Sequence, residues 1–228
     1  MSIIAVLIGI LLSALSASRQ AGLKLRCISQ LHEVSFKFRM FSDPFTVTTR
    51  GESDMLGSNV FYMDDFVDSL YRIDEFWDLP PIIYSQYNPG EEIMMCPAGE
   101  NELYRRPQRT AFENAIIPSA NVSLAFNRRL WRNGIDPGIT TVSGRLLDLP
   151  DIPLIMDVDG AAASAAGRLP HYIAPPVPGL NDDYAAGEFW YPSFRHNGKF
   201  VVAFVGGHVL TTEDPLAQST WRWDVTGY

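Results

Sequence analysis

Apolar and polar positions change rhythm twice along this chain. From Ile3 to Leu15 the residues are almost wholly apolar, with Gly9, Ser13 and Ala14 as interruptions. Beyond that run the apolar positions thin to Leu23, Cys27, Leu31, Val34, Phe38 and Phe41. Those steps of three and four trace one face of an α-helix. Arg19, Gln20, Lys24, Arg26, Gln30, Glu33, Lys37 and Arg39 fill the other face. No proline and a single glycine, Gly22, fall between Ala17 and Phe41. The pattern therefore predicts one rod of about forty residues, about 60 Å long. Asp43-Pro44 ends it, since proline lacks an amide donor and disfavours helix in the residue before it.

After the rod the pattern breaks into short segments parted by Gly, Pro, Asn and Asp. Val60, Phe61, Phe66, Val67 and Leu70 predict a short helix with Asp64 or Asp65 near its start, and Pro80-Pro81 closes that region. "EIMMCPAG" reads as a strand running into a turn at Pro97 and Gly99. "ANVSLAFNRRLW" reads as a strand with Asn127 at its end, and "IPLIMDVDG" as an apolar run closing on an acidic turn. The segment "GAAASAAGRLPHYIAPPVPGLNDDYAAG" is rich in small residues and proline, the composition of a surface loop. "KFVVAFVGGHVLTT" has the strongest strand signature and predicts a hairpin turning at Gly206-Gly207. An aromatic tail, "STWRWDVTGY", follows. No repeat of fixed period occurs. The expected architecture is α+β: a long N-terminal helix (1–42) on one face of a small antiparallel sheet in a head (43–228).

Composition narrows the function. With 46% hydrophobic residues and 12% aromatics the 228-residue chain has ample material for a core. A net charge of −8 argues against nucleic acid, which demands clustered Lys and Arg. The opening apolar run, about thirteen residues, is shorter than the roughly twenty needed to span a bilayer as a helix. It matches the core of a secretory signal, and "SALSAS" offers small residues for cleavage, yet no basic segment precedes it. Unbroken continuation into the amphipathic helix counts against cleavage.

The segment "IIAVLIGILLSALSASRQAGLKLRCISQLHEVSFKFRMF" resembles the N-terminal helix of type IV pilin-like proteins, in particular the type II secretion pseudopilin-like proteins of the planctomycete type. Leu15, Ser16, Arg19, Cys27 and Leu31 stand where that family's pattern puts them, while Ser13 replaces its usual proline. The family's processing glycine and the glutamate after it are absent, so the expectation is a start codon assigned about ten residues late, which would complete a span of about twenty. Cys96-Pro97 matches a mid-domain Cys-Pro, Phe126-Asn127 loosely matches a Tyr-Asn strand end, and Asp157 matches an aspartate closing an apolar strand. The family's C-terminal signature is a histidine, nine residues, then Asp-Gly-His. Here it is degraded to His196, nine residues, then Gly206-Gly207-His208.

Several residues are candidates for chemistry. Cys27 and Cys96 form either one disulfide clip or two free thiols. As a clip they would tie the helix to the sheet and add about 4 kcal/mol in the chain-entropy account. His171, His196 and His208 with Asp157 or Asp224 would be the makings of a zinc or catalytic site, but no HExxH or closely spaced ligand pair occurs. The favoured expectation is that His196 and His208 hydrogen-bond a loop and a strand end. Asp157, Asp159, Asp182 and Asp183 are weak calcium candidates, with solvated turns as the favoured alternative. No GxSxG, SxxK, P-loop or GxGxxG appears.

The resemblance implies a structural subunit of a type II secretion pseudopilus or type IV pilus-like filament, not an enzyme, without a cofactor apart from the weak calcium option. It would be anchored once in the inner membrane with its head in the periplasm or filament. Its implied partners are other copies and other pseudopilins through the helix, an inner-membrane assembly platform, and a prepilin peptidase if the N-terminus is longer. The rival expectations are a secreted soluble binding protein with a cleaved signal and a metal-dependent hydrolase using His171, His196 and Asp157.

Overall fold

One helix, α1, runs without interruption from Ser2 to Ser42, 41 residues. The computed structural model describes residues 2–43, 45, 50–56, 60–71, 96–102, 123–127, 130, 141–159, 173–174, 192–215 and 220–223. Its two halves live in different surroundings. Ile3, Ile4, Val6, Leu7, Ile8, Ile10, Leu11, Leu12 and Leu15 are all at least 50% exposed. In the second half Cys27, Leu31, Val34, Phe38 and Phe41 are buried, at the helical steps read from the sequence. The first half thus projects from the head, and the second forms one wall of its core. By length and composition α1 is long and apolar enough to cross a membrane.

The head holds a sheet of four antiparallel strands in the order β2 (Leu124–Asn127), β4 (Pro153–Asp157), β6 (Phe200–Phe204), β7 (Val209–Thr212). A two-residue strand, β5 (Ile173–Ala174), joins parallel to β2 at the other edge. Every residue of β2, β4 and β6 is buried, as near-continuous apolar strands are when both faces are covered. α1 lies against β4 and β6, and β7 forms the more exposed edge. The architecture is α+β, as expected.

A second, two-stranded sheet pairs β1 (Val60–Tyr62) with β3 (Thr141–Ser143), Phe61 opposite Val142. Val60 and Phe61 are therefore strand residues and not part of the expected helix. Their β-branched and aromatic side chains suit a paired strand, and α2 begins only at Met63 and runs to Tyr71. Phe38 and Phe41 from α1 meet Phe61 and Phe66 edge to face, with centroids 5.1–5.6 Å apart. Phe66 continues the contact to Phe126 of β2 at 5.9 Å. This ring cluster joins both sheets to the helix.

The β6–β7 hairpin turns at Gly206-Gly207 as the pattern predicts. Gly207 has φ +92°, and a Cβ on Gly206 would stand 2.6 Å from that of Pro150. The Gly206 amide donates to the Pro150 carbonyl at 3.0 Å. An aspartate, which the resembling signature would place there, has no room. Arg39 of α1 reaches over and donates to the Gly206 carbonyl at 3.2 Å. Cys96 leads into a turn at Pro97 and Gly99 as expected: it is a 3-10 turn, Pro97–Glu102, closed by the Gly99 amide donating to the Cys96 carbonyl at 2.7 Å. The segments around Pro80-Pro81 and before Cys96, with His171, Asp182, Asp183 and Asp224, lie outside the described residues.

Candidate functional site

Four segments distant in sequence, α1 among them, converge at one buried point. Cys27 lies on the buried face of the helix, and Cys96 immediately precedes the 3-10 turn. Asp157 is the last residue of β4, and His196 lies in the turn entering β6. That turn is tight: Asn197 and Gly198 have φ of 56° and 76°, and the Gly198 amide donates to the Phe194 carbonyl at 3.0 Å. One sulfur from each cysteine, one imidazole nitrogen and one carboxylate oxygen lie within 4.8 Å of one another. Cys27, Cys96 and Asp157 have no exposed surface, and His196 retains 3%.

The geometry around His196 decides what the cluster can do. Its Nε2 stands 3.1 Å from Cys96 Sγ and 3.2 Å from Asp157 Oδ2. A nucleophile–histidine–carboxylate relay needs thiol and carboxylate on opposite ring nitrogens, so that the carboxylate orients the ring while the other nitrogen takes the proton. Here both address the same nitrogen. The arrangement converges on a point and does not form a chain. Burial also separates it from any substrate in solution.

Electrostatics reinforce this convergence. A hydrogen bond from Cys27, and next His196, pull the Cys96 thiol below the ordinary thiol range against the effect of burial, while that same hydrogen bond and burial push the Cys27 thiol up. Burial pushes Asp157 up to about 6, opposed by His196 beside it. Burial alone would lower His196, but Asp157 and Cys96 facing its ring outweigh that and raise it to about 9. Arg195 adds a cation: its Nη1 is 3.9 Å from Asp157 Oδ1, while Nη2 donates to the Val158 carbonyl at 2.7 Å and Nε to Ser193 Oγ at 2.8 Å. Neither Asp157 oxygen accepts a hydrogen bond of good geometry. A buried carboxylate in that condition is costly, and the Arg195 guanidinium and His196 ring beside it are the charges that offset it.

The remaining candidates scatter. His208 is at the far end of β6 from His196, half-exposed, stacked on Phe204 at 4.4 Å and 3.9 Å from Asp151. Asp159 is half-buried beyond the end of β4. Asp157 faces sulfur and nitrogen, not the hard oxygens calcium requires, so its surroundings are not a calcium set. His196 is in the sealed cluster and not simply the loop-bonding residue expected of it. Cys27 and Cys96 are brought together and are free thiols. The sequence points to all four members as two separate pairs, Cys27 with Cys96 and His196 with Asp157, and carries no signal for Arg195.

No protein-family model, curated protein or solved structure matches the chain.

Proposed function

We propose that this protein is a membrane-anchored structural subunit of a pilus- or pseudopilus-like filament. The single observation that carries the reading is the division of α1: an apolar half whose large side chains are all at least 50% exposed, followed by a half built into the core of an acidic head. Nine large apolar side chains in water would be strongly unfavourable, at about 25 cal/mol per Å2 of apolar surface, so a hydrophobic partner must cover them. A bilayer covers them before assembly, and the same helices of neighbouring copies cover them afterwards. The chain's resemblance to the pseudopilin-like N-terminal helix supports the same account. On this reading the head faces the periplasm or the filament exterior, and its partners are other copies, other pseudopilins and an inner-membrane assembly platform.

The test is fractionation of cells expressing the full chain, with N-terminal sequencing of the mature product. The expected outcome is a membrane-fraction protein that resists alkaline extraction and retains the Ile3–Leu15 segment. A product that begins after about Ala17 and stays in the soluble fraction overturns the proposal in favour of a secreted binding protein.

A further inference from the structure

We propose that Cys27, Cys96, His196 and Asp157 hold a structural divalent metal ion of the zinc class, which fastens α1 to the head. The site is assembled from donors on the helix, the 3-10 turn, the end of β4 and the turn before β6, so one ion joins four segments.

Three features select this chemistry. First, the geometry fits. A tetrahedral zinc with bonds of about 2.0–2.3 Å places its ligand atoms about 3.3–3.8 Å apart. The four donor atoms already lie within 4.8 Å of one another, with edges of 3.1 and 3.2 Å at His196 Nε2. Small side-chain adjustments open a centre among them. Second, two thiols and an imidazole select zinc over calcium or magnesium, which prefer all-oxygen shells. Third, the charges close. Two thiolates, one carboxylate and a neutral imidazole around a dication leave one negative charge, and the buried Arg195 guanidinium beside Asp157 offsets it.

The competing use of the same residues is a Cys27–Cys96 disulfide. It would leave the buried Asp157 carboxylate facing only the His196 Nε2 at 3.2 Å and the Arg195 Nη1 at 3.9 Å. A metal ion employs all four groups, carboxylate included. In an oxidising compartment two bare thiols this close would be prone to oxidation, whereas coordination keeps both sulfurs reduced. The inference does not depend on the filament reading, since it concerns only the interior of the head.

The experiment uses the full chain, purified in mild detergent without chelator or added metal, and measures metal by mass spectrometry alongside thiol alkylation. The expected result is about one zinc per chain, with both cysteines resistant to alkylation until a chelator is added. Exchange with cobalt(II) should give the intense visible bands of a tetrahedral centre and a sulfur-to-metal charge-transfer band. Asp157→Asn and Cys96→Ser should each weaken zinc binding at least about tenfold. Should either variant fail to fold, the cobalt spectrum of the unaltered chain still reports the sulfur ligands. A metal-free chain with a Cys27–Cys96 disulfide overturns the proposal. So does a metal-free dithiol that takes up no added zinc, or bound cobalt without the sulfur band.

Discussion

At the scale of single residues, the head depends on a few positions where one atom more or less decides the packing. Gly99 is the clearest. A Cβ there would lie 2.5 Å from Arg195 Nη1 and 2.6 Å from Ser123 Oγ. Arg195 is held on its other side by the Val158 carbonyl and Ser193, so it can yield only by giving up those bonds. Gly99→Ala should therefore destabilise the head by about 1–3 kcal/mol, read as a lower denaturant midpoint with unchanged slope. Asn127 is a second such position. Its side-chain amide donates to the Pro153 carbonyl at 2.9 Å and the Trp223 carbonyl at 3.2 Å, pinning the C-terminal segment to β2 and β4. Asn127→Leu removes both donated hydrogen bonds in a buried setting and should cost about 1–3 kcal/mol, with altered tryptophan fluorescence as the second sign. A strand ending at Asn127 was legible in the sequence; the carbonyls it serves were not, because both come from distant parts of the chain.

At the scale of elements, α1 was the most legible part and also contains the sharpest internal contrast. Its buried positions follow directly from helical spacing, since Leu31, Val34, Phe38 and Phe41 recur on one face. The β6–β7 hairpin was equally plain, because a β-branched run and two glycines are local signals. Val60 and Phe61 misled because an apolar pair before an acidic helix start fits either element, and their pairing with β3 is a long-range fact. The cluster of Cys27, Cys96, Asp157 and His196 was legible only as two separate pairs, Cys27 with Cys96 and His196 with Asp157, for the same reason. No two of its members share a short ligand spacing, so only the folded chain brings them together. The contrast within α1 makes a prediction. Phe38→Ala removes a ring that meets both Phe61 and Phe66, and should cost the head about 3–5 kcal/mol in chemical denaturation. Leu7→Ala, on the exposed half, should change head stability by less than about 0.5 kcal/mol. Leu7→Arg should leave the head equally stable yet reduce the membrane-bound fraction, because a charge at the centre of an apolar span is costly.

At the scale of the whole molecule, the head and the projecting half of α1 are physically separable, but the head and the buried half are not. Residues 3–22 are exposed along their entire length, so the head draws no core contact from them. Beyond them the helix supplies Leu31, Val34, Phe38 and Phe41 to the core, the Cys27 thiol to the buried cluster, and Arg39 to the hairpin carbonyl. Removing residues 1–22 should therefore give a soluble, monomeric, cooperatively unfolding protein with a melting temperature close to that of the full chain. Removing residues 1–42 takes away five buried apolar side chains, and the exposed faces of β4 and β6 should then drive aggregation or leave a loosely packed state. Circular dichroism melts and size-exclusion profiles of the two truncations distinguish these outcomes. Similar behaviour of both would mean that the second half of α1 is an appendage like the first. The internal seam of this molecule would then fall at Asp43, where the helix ends, and not within the helix near Leu23, where exposure gives way to burial.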